Sequence, residues 1–215
     1  MIRVVLVDDH AVVRMGFRML LQAEGADITV VGEAADGEAL LKGLADPASA
    51  WQADVIVMDL SMPGLGGLET LRRLRTKDHT PPVLVLSAHE DTAHPRRALN
   101  AGALGYLSKR SAPEALPEAV RAVAAGKRYL DAQTAQNLAL SQLDGAASPF
   151  DALSEREFEV FVRLARGRSV AEIAEALSLS PSTVGTHLYN IKQKLAAGNQ
   201  AELTLLALRW GVIEA

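Results

Sequence analysis

Short apolar runs rich in β-branched residues alternate with amphipathic stretches through the first part of the chain. The strand-like runs are Arg3–Val7, Ile28–Gly32, Val55–Met58, Val83–Leu86 and Gly105–Leu107. Stretches with helical spacing follow them, near residues 11–24, 37–49, 66–77, 93–101 and 113–126. Strands that alternate with helices form parallel sheets with helices on both faces. The pattern therefore predicts an α/β domain built on a (βα)5 doubly wound parallel sheet.

Capping residues mark some of these helix starts. Asp36 precedes the second helical stretch, and Ser111 is followed by Glu114 at the spacing of a capping box. Pro95 falls early in the fourth stretch. Because proline is tolerated in the first turn of a helix but not in its interior, this helix is expected to start late or to be short.

The rest of the chain is predicted to be helical. Residues 127–149 have the composition of a linker, with one helix from about Ala132 to Leu140. Residues 150–215 show four helical stretches, near 155–166, 170–177, 181–196 and 200–212, with start signals at Ser154, Ser169, Ser180-Pro181 and Asn199. Only Ser178–Ser180 separates the second from the third, which is the short turn of a helix-turn-helix. The sequence thus predicts domains at residues 1–126 and 150–215, the second all-α with four helices.

Acidic residues close two of the strand-like runs. Asp59 follows the third run, three residues before Met62-Pro63-Gly64, and Asp8 and Asp9 follow the first. Because parallel strands bring their carboxyl ends to one edge of the sheet, these carboxylates are expected to meet there. They would repel one another unless a divalent cation lies between them, and oxygen ligands suit Mg²⁺. A carboxylate beside such an ion can attack a phosphoryl group, so Asp59 is the candidate phosphoacceptor.

Composition excludes several classes of protein. The 215 residues include no cysteine, which excludes disulfides, thiolate chemistry and cysteine-based zinc sites. No apolar run reaches the ~18 residues that a membrane span requires, and Met1 leads straight into a strand. Neither membrane insertion nor a secretory signal is therefore expected, and the expected setting is cytoplasmic. The net charge of −4 means that any DNA binding would depend on local charge.

Motifs in family order make the chain similar to two-component response regulators of the NarL/FixJ type over nearly its whole length. Those that resemble a receiver domain are Asp8-Asp9, Asp59 with Met62-Pro63-Gly64, Ser87-Ala88 and Ala101–Lys109. Those that resemble a LuxR-type DNA-binding domain are Leu153–Glu157, Val184–His187 and Lys194-Leu195. Within the family, the segment Gly105–Glu114 further resembles the hexose-phosphate uptake regulators.

The resemblance implies a set of residues around the phosphoacceptor. Asp8, Asp9 and Asp59 would hold Mg²⁺ together with the backbone carbonyl of Ser61. Lys109 would pair with Asp59 or its phosphate. The alternatives are a solvated acidic turn for Asp8 and Asp9 and a solvated strand-end lysine for Lys109.

Other residues would read or limit the phosphorylated state. Ser87 would donate its hydroxyl to a phosphoryl oxygen, and the ring of Tyr106 would turn inward as the loop repacks. A half-buried Tyr106 without a switching role is the alternative. Ser61 and His89 lie two residues beyond Asp59 and Ser87, where family members control the hydrolytic water.

The helix at 181–196 would be the recognition helix, which enters the major groove with its N-terminal residues towards the bases. Its candidate DNA-binding residues are Ser182, Thr183, Gly185, Thr186, His187, Tyr189, Lys192 and Lys194. Gly185 departs from the family, which often has a long side chain there. Close backbone approach to DNA and weak, relaxed recognition are both open explanations. Gln200 replaces the usual arginine, which leaves one phosphate contact or capping interaction open.

The last helix would offer an apolar dimerisation surface, because weak monomer binding favours a dimer. Its residues are Leu203, Leu206, Ala207, Trp210 and Val212. The alternative is that they pack against their own domain.

The function predicted is a phosphorylation-controlled transcription regulator. A sensor histidine kinase would phosphorylate Asp59, and the homodimer formed would bind palindromic half-sites of double-stranded DNA, with RNA polymerase as a further candidate partner. An aspartate-nucleophile phosphatase is a rival, although such enzymes need a second acid where Ser61 stands. A regulator that acts through protein contacts, with weak DNA binding, is the other.

Overall fold

The computed structural model describes residues 1–24, 27–46, 51–88, 93–143 and 148–213. The chain divides into two compact units. The first comprises Met1–Glu90 and His94–Ala139, and the second comprises Asp91–Ala93 and Leu140–Ala215. None of the helices in the described part of the chain has both the length and the apolar character needed to cross a membrane.

A parallel sheet forms the centre of the first unit, with its strands in the order β2-β1-β3-β4-β5-β6. The strands are β1 (Ile2–Val7), β2 (Ile28–Ala34), β3 (Val55–Asp59), β4 (Val83–Ser87), β5 (Gly105–Ser108) and β6 (Tyr129–Leu130). The helices that follow the first five are α1 (Ala11–Glu24), α2 (Gly37–Ala45), α3 (Gly67–Arg75), α4 (Ala93–Ala101) and α5 (Ala112–Ala124). The doubly wound α/β fold is confirmed. The added strand β6 lies in the predicted linker, and two residues are too short to show a strand period.

Alternate residues of the central strands face opposite sides of the sheet. Val5 and Ile56 belong to an apolar cluster with α2 and α3, whereas Val4 and Val55 belong to a second cluster with α1 and α5. Because the side-chain period of a strand is two, a strand covered on both faces must be apolar throughout. Fully burying each such side chain contributes roughly 1.5–3 kcal/mol. This explains why the runs are continuous rather than alternating.

Of the two helix starts predicted from capping residues in the first unit, the one at α2 is confirmed and the one at α5 is not. Asp36 caps α2, and its Oδ1 accepts the Ala39 amide at 2.7 Å. The capping box predicted at Ser111 is wrong. Ser111 has helical φ and ψ, and its side chain makes no capping hydrogen bond. Its carbonyl accepts the Glu114 amide at 3.3 Å instead, so the chain is already turning at Ser111.

Five helical segments follow in the described residues after α5 and β6. They are α6 (Ala132–Leu143), α7 (Glu155–Ala165), α8 (Val170–Ala176), α9 (Pro181–Leu195) and α10 (Gln200–Arg209), with a short 3-10 helix at Pro149–Ala152 before α7. The predicted linker helix and all four helices of the second unit are present. Reciprocal capping boxes start α7 and α8, while Ser180 and Asn199 cap α9 and α10 through their side chains.

Candidate phosphorylation site and nucleic-acid interface

Two buried carboxylates meet at the carboxyl edge of the sheet. Asp8 directly follows β1 and Asp59 ends β3. These strands pair in parallel, with Val7 beside Met58, so the two acids lie on neighbouring strand ends. Asp8 is 3% exposed and Asp59 is 4% exposed. Unpaired, two buried charges of the same sign would be costly.

Lys109 bridges the two carboxylates. It follows β5, and its Nζ lies 2.6 Å from Asp8 Oδ2 and 2.7 Å from Asp59 Oδ2. Burial raises the pKa of Asp59, and the Lys109 ammonium offsets this only in part. Burial by itself would lower the pKa of Lys109, but the two carboxylates outweigh it and that pKa is raised. One cation is therefore shared between two buried acids.

Asp9 supplies a further oxygen at this edge. Ligand atoms of Asp8, Asp9 and His10 lie within 4.8 Å of one another. Asp9 Oδ1 is shielded from solvent and accepts no hydrogen bond from the described residues, although His10 Nδ1 lies 2.8 Å away. Sequence reasoning missed His10, whose only signal is its place next to the acidic pair. A shielded oxygen without a donor, close to the Asp8 carboxylate, is what a hard divalent cation would satisfy.

Close backbone packing holds the loop after Asp59. The Ser61 amide donates to Asp59 Oδ1 at 3.2 Å, and the Gly67 amide donates to the Leu60 carbonyl at 3.1 Å. A Cβ at Gly67 would lie 2.5 Å from Leu60 Cα. Glycine at the start of α3 therefore allows this helix to pack against the loop. A role for the Ser61 carbonyl as a metal ligand stays a prediction.

The predicted switch residues lie on β4, which pairs with the Asp59 strand β3, and on β5, which pairs with β4. Ser87 ends β4, is buried, and its carbonyl accepts the Lys109 amide at 2.8 Å. Tyr106 of β5 is completely buried in the same apolar cluster as Met58. Full burial excludes the half-buried ring considered as the alternative, while a switching role for Tyr106 stays a prediction. His89, predicted to affect phosphate lifetime, lies outside the described residues.

Arg14 is a residue of this site that the sequence did not reveal. Its guanidinium donates to the backbone carbonyl of Asp8 and, at 3.1 Å, to Glu33 Oε2 of β2. Arg18, one turn later on α1, donates to Glu33 Oε1 at 2.7 Å. Burial alone would raise the pKa of Glu33, but the two arginines lower it. The ion pairs fix α1 and the Asp8 backbone against β2.

The predicted recognition helix α9 has its apolar side chains inward and several of its candidate DNA contacts outward. Ser182, Thr186 and Tyr189 are exposed, whereas Val184 and Ile191 are buried. Beyond its own helix and flanking residues, no heavy atom of the described residues lies within 4 Å of a Cβ built at Gly185. Packing of the domain therefore does not require glycine there.

Lys194 is engaged inside its own domain rather than free to meet DNA. Its Nζ lies 2.6 Å from Glu157 Oε2, the acid of the α7 capping box. This ion pair holds α9 against α7. Gln200 also makes an internal contact, since its Nε2 donates to the Leu164 carbonyl near the end of α7 at 2.9 Å. The glutamine thus makes a capping interaction.

The dimerisation surface predicted on α10 needs correction. Leu203 and Ala207 are fully buried in the core of the second unit, so they cannot form an outer surface. Val212 is buried as well, and Trp210 packs edge-on against Phe150 with ring centroids 6.2 Å apart. Leu206 is partly buried against the same core. Among the described residues of this helix, Leu205 is a large apolar side chain that is 64% exposed, and periodicity alone did not single it out.

Comparison with known families agrees with both halves of this geometry. Residues 4–121 match the family described as response regulator receiver domain. Residues 151–207 match the family described as bacterial regulatory proteins, luxR family. The chain belongs to the NarL/FixJ type of two-component response regulators. It regulates transcription through a LuxR-type DNA-binding domain, as predicted.

Individual relatives extend over the whole chain. The regulator is 42% identical to the response regulator UvrY of Escherichia coli (strain K12) over 217 residues, which cover 100% of this chain and 97% of that protein. Identity to the response regulator GacA of Pseudomonas aeruginosa is 43% over 218 residues, with 100% and 99% coverage. A solved complex of RcsB with DNA has a TM-score of 0.59 at 28% identity, covering 95% of this chain and 96% of that one. The likeness to hexose-phosphate uptake regulators stays a prediction.

Proposed function

We propose that this response regulator is switched by transfer of a phosphoryl group from a sensor histidine kinase to Asp59. The observation that carries the proposal is the Lys109 bridge, which holds a buried carboxylate at the carboxyl edge of the sheet beside Asp8. One Asp59 oxygen would attack the phosphorus of a kinase phosphohistidine. A P–O bond forms as the P–N bond breaks, and the imidazole leaves with the electron pair.

Asp8, Asp9, Asp59 and the Ser61 carbonyl would hold Mg²⁺ at this edge. The oxygen-only donor set and the shielded Asp9 Oδ1 support this assignment. When bound, the ion would neutralise charge that builds on the phosphoryl oxygens.

Phosphorylated Asp59 would draw its neighbours towards the new group. A phosphoryl group adds about −1.5 to −2 charges and three strong acceptors. Lys109 would pair with these oxygens, and Ser87 would donate its hydroxyl. Movement of the β4 and β5 ends would then alter the packing around Tyr106, while Ser61 and His89 would tune the lifetime of the phosphate.

The second unit would deliver the response by binding palindromic half-sites about 10 bp apart as a homodimer, with α9 in the major groove. Ser182, Thr183, Gly185, Thr186, His187, Tyr189 and Lys192 stay as candidate contacts. Leu205 joins Leu206 and Trp210 as a candidate dimer residue. The solved RcsB–DNA complex supports DNA as the partner.

The domain boundaries proposed are 1–126 for the receiver, 127–149 for the linker and 150–215 for the DNA-binding domain, with β6 pairing part of the linker to the receiver sheet. The proposed setting is cytoplasmic, without direct membrane insertion. RNA polymerase is a further proposed partner. A regulatory rather than enzymatic role is proposed because Ser61 occupies the position where an aspartate-nucleophile phosphatase needs an acid.

Analytical ultracentrifugation with Mg²⁺ and beryllofluoride, which mimics the phosphoryl group, tests the proposal. The wild type is expected to shift from monomer to dimer. Asp59→Asn keeps the size of the side chain without the nucleophile and is expected to show no shift. Asp78→Asn, at an exposed acid in the loop after α3, is the matched control and should respond like the wild type. An Asp59→Asn protein that still dimerised would contradict the proposal.

A second candidate function is action through protein contacts with weak DNA binding. The observation that favours it is that Lys194 is held by Glu157 and that Gly185 has no side chain. Few long basic side chains on α9 are then left for phosphates. A salt titration of binding to random DNA distinguishes the two, because a protein that does not bind DNA gives no signal even at low salt.

A further inference from the structure

The start of the linker pairs with β5, the strand that directly precedes Lys109. In the short strand β6, Tyr129 lies beside Gly105 and Leu130 beside Tyr106 of β5. Asp131 follows directly and is 6% exposed. A buried aspartate outside the phosphorylation site, at the point where the chain leaves the sheet, needs hydrogen-bond donors.

The carboxylate of Asp131 joins β5 to the start of α6. Its Oδ2 accepts the backbone amide of Ser108 at 3.0 Å. The same oxygen accepts the Thr134 hydroxyl at 2.9 Å, and Oδ1 accepts the Thr134 amide at 2.9 Å. One side chain thus caps α6 and holds the last residue of β5. Ser108 lies 23 residues before Asp131 in the sequence, and Thr134 lies three residues after it.

Ser108 is the residue before Lys109, so Asp131 holds the backbone from which the lysine extends. On the other side, the Lys109 amide donates to the Ser87 carbonyl of β4 at 2.8 Å. The end of β5 is therefore fixed between β4 and Asp131. A displacement of the Lys109 backbone must stretch or turn the Ser108–Asp131 hydrogen bond, whose geometry is narrow.

We propose that Asp131 is a positioning residue that couples Lys109 to the linker helix α6. This inference rests on the proposed function, in which Lys109 responds to a phosphoryl group on Asp59. The carboxylate accepts the Ser108 amide through Oδ2 and the Thr134 amide through Oδ1, so movement of either backbone turns the carboxylate and disturbs the other bond. One division between the two units falls within α6, between Ala139 and Leu140, so this helix carries the chain from the first unit into the second.

Three variants separate coupling from capping. Asp131→Ser keeps a residue that caps helices well, but its hydroxyl is too short to reach the Ser108 amide. Thr134→Val removes the hydroxyl and leaves the bond to Ser108. In the wild type, Asp36 caps α2 by accepting the Ala39 amide. Asp36→Ser is therefore the matched control for the loss of a capping carboxylate.

The measurement is hydrogen–deuterium exchange of the full chain with Mg²⁺, with and without beryllofluoride, while ¹⁹F NMR reports bound beryllofluoride. In the wild type, exchange is expected to change at residues 105–109 and at residues 132–139. Asp131→Ser should bind beryllofluoride and respond at 105–109. Its response at 132–139 should fall by at least about fivefold, the lower end of typical coupling between sites. Thr134→Val and Asp36→Ser should respond like the wild type.

The outcomes distinguish this inference from the function on which it rests. An undiminished response at 132–139 in Asp131→Ser overturns the coupling, as does a wild type that binds beryllofluoride without any response there. A wild type that fails to bind beryllofluoride contradicts the proposed phosphorylation of Asp59, and the coupling with it. If Asp131→Ser does not fold, Asp131→Asn is measured in its place, with the same outcomes.

Discussion

A lysine reaches a buried carboxylate in each unit, and the two pairs differ in what else holds the acid. Lys109 Nζ lies 2.6 Å from Asp8 Oδ2, and Lys194 Nζ lies 2.6 Å from Glu157 Oε2. Glu157 Oε2 also accepts the Ser154 amide at 2.8 Å, within a capping box. Lys109, in contrast, is shared with a second acid, Asp59.

The pKa directions follow from this difference. Burial by itself would raise the pKa of Glu157, but Lys194 and the Ser154 donors outweigh it and the pKa is lowered. For Asp59, burial outweighs its donors and the pKa is raised. An acid held by its own fixed donors is a stable part of the fold. Acids that share one cation retain the capacity to take up another cation or a phosphoryl group.

Replacing Lys109 gives the largest expected effect. In Lys109→Gln, Asp8 and Asp59 remain buried without a cation, and breaking a buried pair costs about 3–5 kcal/mol. Mg²⁺ should restore much of this loss, because it replaces the missing charge. Urea unfolding of a Trp210→Phe background in chelator and in Mg²⁺, followed by Trp51 fluorescence, measures the loss of stability and its recovery. Lys77→Gln, which replaces an exposed lysine, is the control. A loss of stability in Lys109→Gln that Mg²⁺ does not reduce would refute this account.

Replacing Glu157 tests the opposite case. Glu157→Gln keeps a residue that fits a capping box but removes the charge that Lys194 pairs with. Since the pKa of Glu157 is lowered, its stabilisation is present above its ordinary value of 4.5 and is lost as pH falls through the folded-state pKa. The variant should therefore be less stable by about 1 kcal/mol at neutral pH, given the half-exposed lysine. This difference should shrink at acid pH.

The measurement is urea unfolding across pH in a Trp51→Phe background, in which the remaining tryptophan, Trp210, reports on the second unit. Asp59→Asn in chelator should show the reverse pH trend, since a raised pKa makes the acid destabilising as pH rises through it. If the stability of both variants relative to the wild type changed with pH in the same direction, the contrast between the Lys109 and Lys194 ion pairs would be wrong.

The smallest effect concerns α9. Gly185→Lys should fold normally, because a Cβ there meets open space, and it should steepen the salt dependence of DNA binding by about one unit of slope. Lys194→Gln should leave that slope unchanged if the lysine pairs with Glu157 rather than with DNA. Electrophoretic mobility shifts over a range of salt concentrations give both slopes. A slope that falls in Lys194→Gln would restore this lysine as a phosphate contact.

Local signals identified most of the fold and the centre of the candidate site. Asp36, Ser154 and Ser180 cap helices as their sequence spacing indicated, because a cap involves only residues within one turn. Ser111 had the same spacing and failed, since its backbone was already helical. Arg14 and Asp131 were missed because their partners lie on other strands, 19 and 23 residues away.

The parallel sheet, the helix-turn-helix and the acids at the strand ends could all be predicted from the amino-acid sequence, because periodicity and strand ends are local properties. The contact of Lys109 with Asp8 and the pairing of Lys194 with Glu157 became visible only in the three-dimensional structure. It also showed that Leu203 and Ala207 are core residues while Leu205 faces solvent. The physical reason is that burial and charge pairing depend on residues distant in sequence, and helical spacing alone does not tell which apolar face is covered.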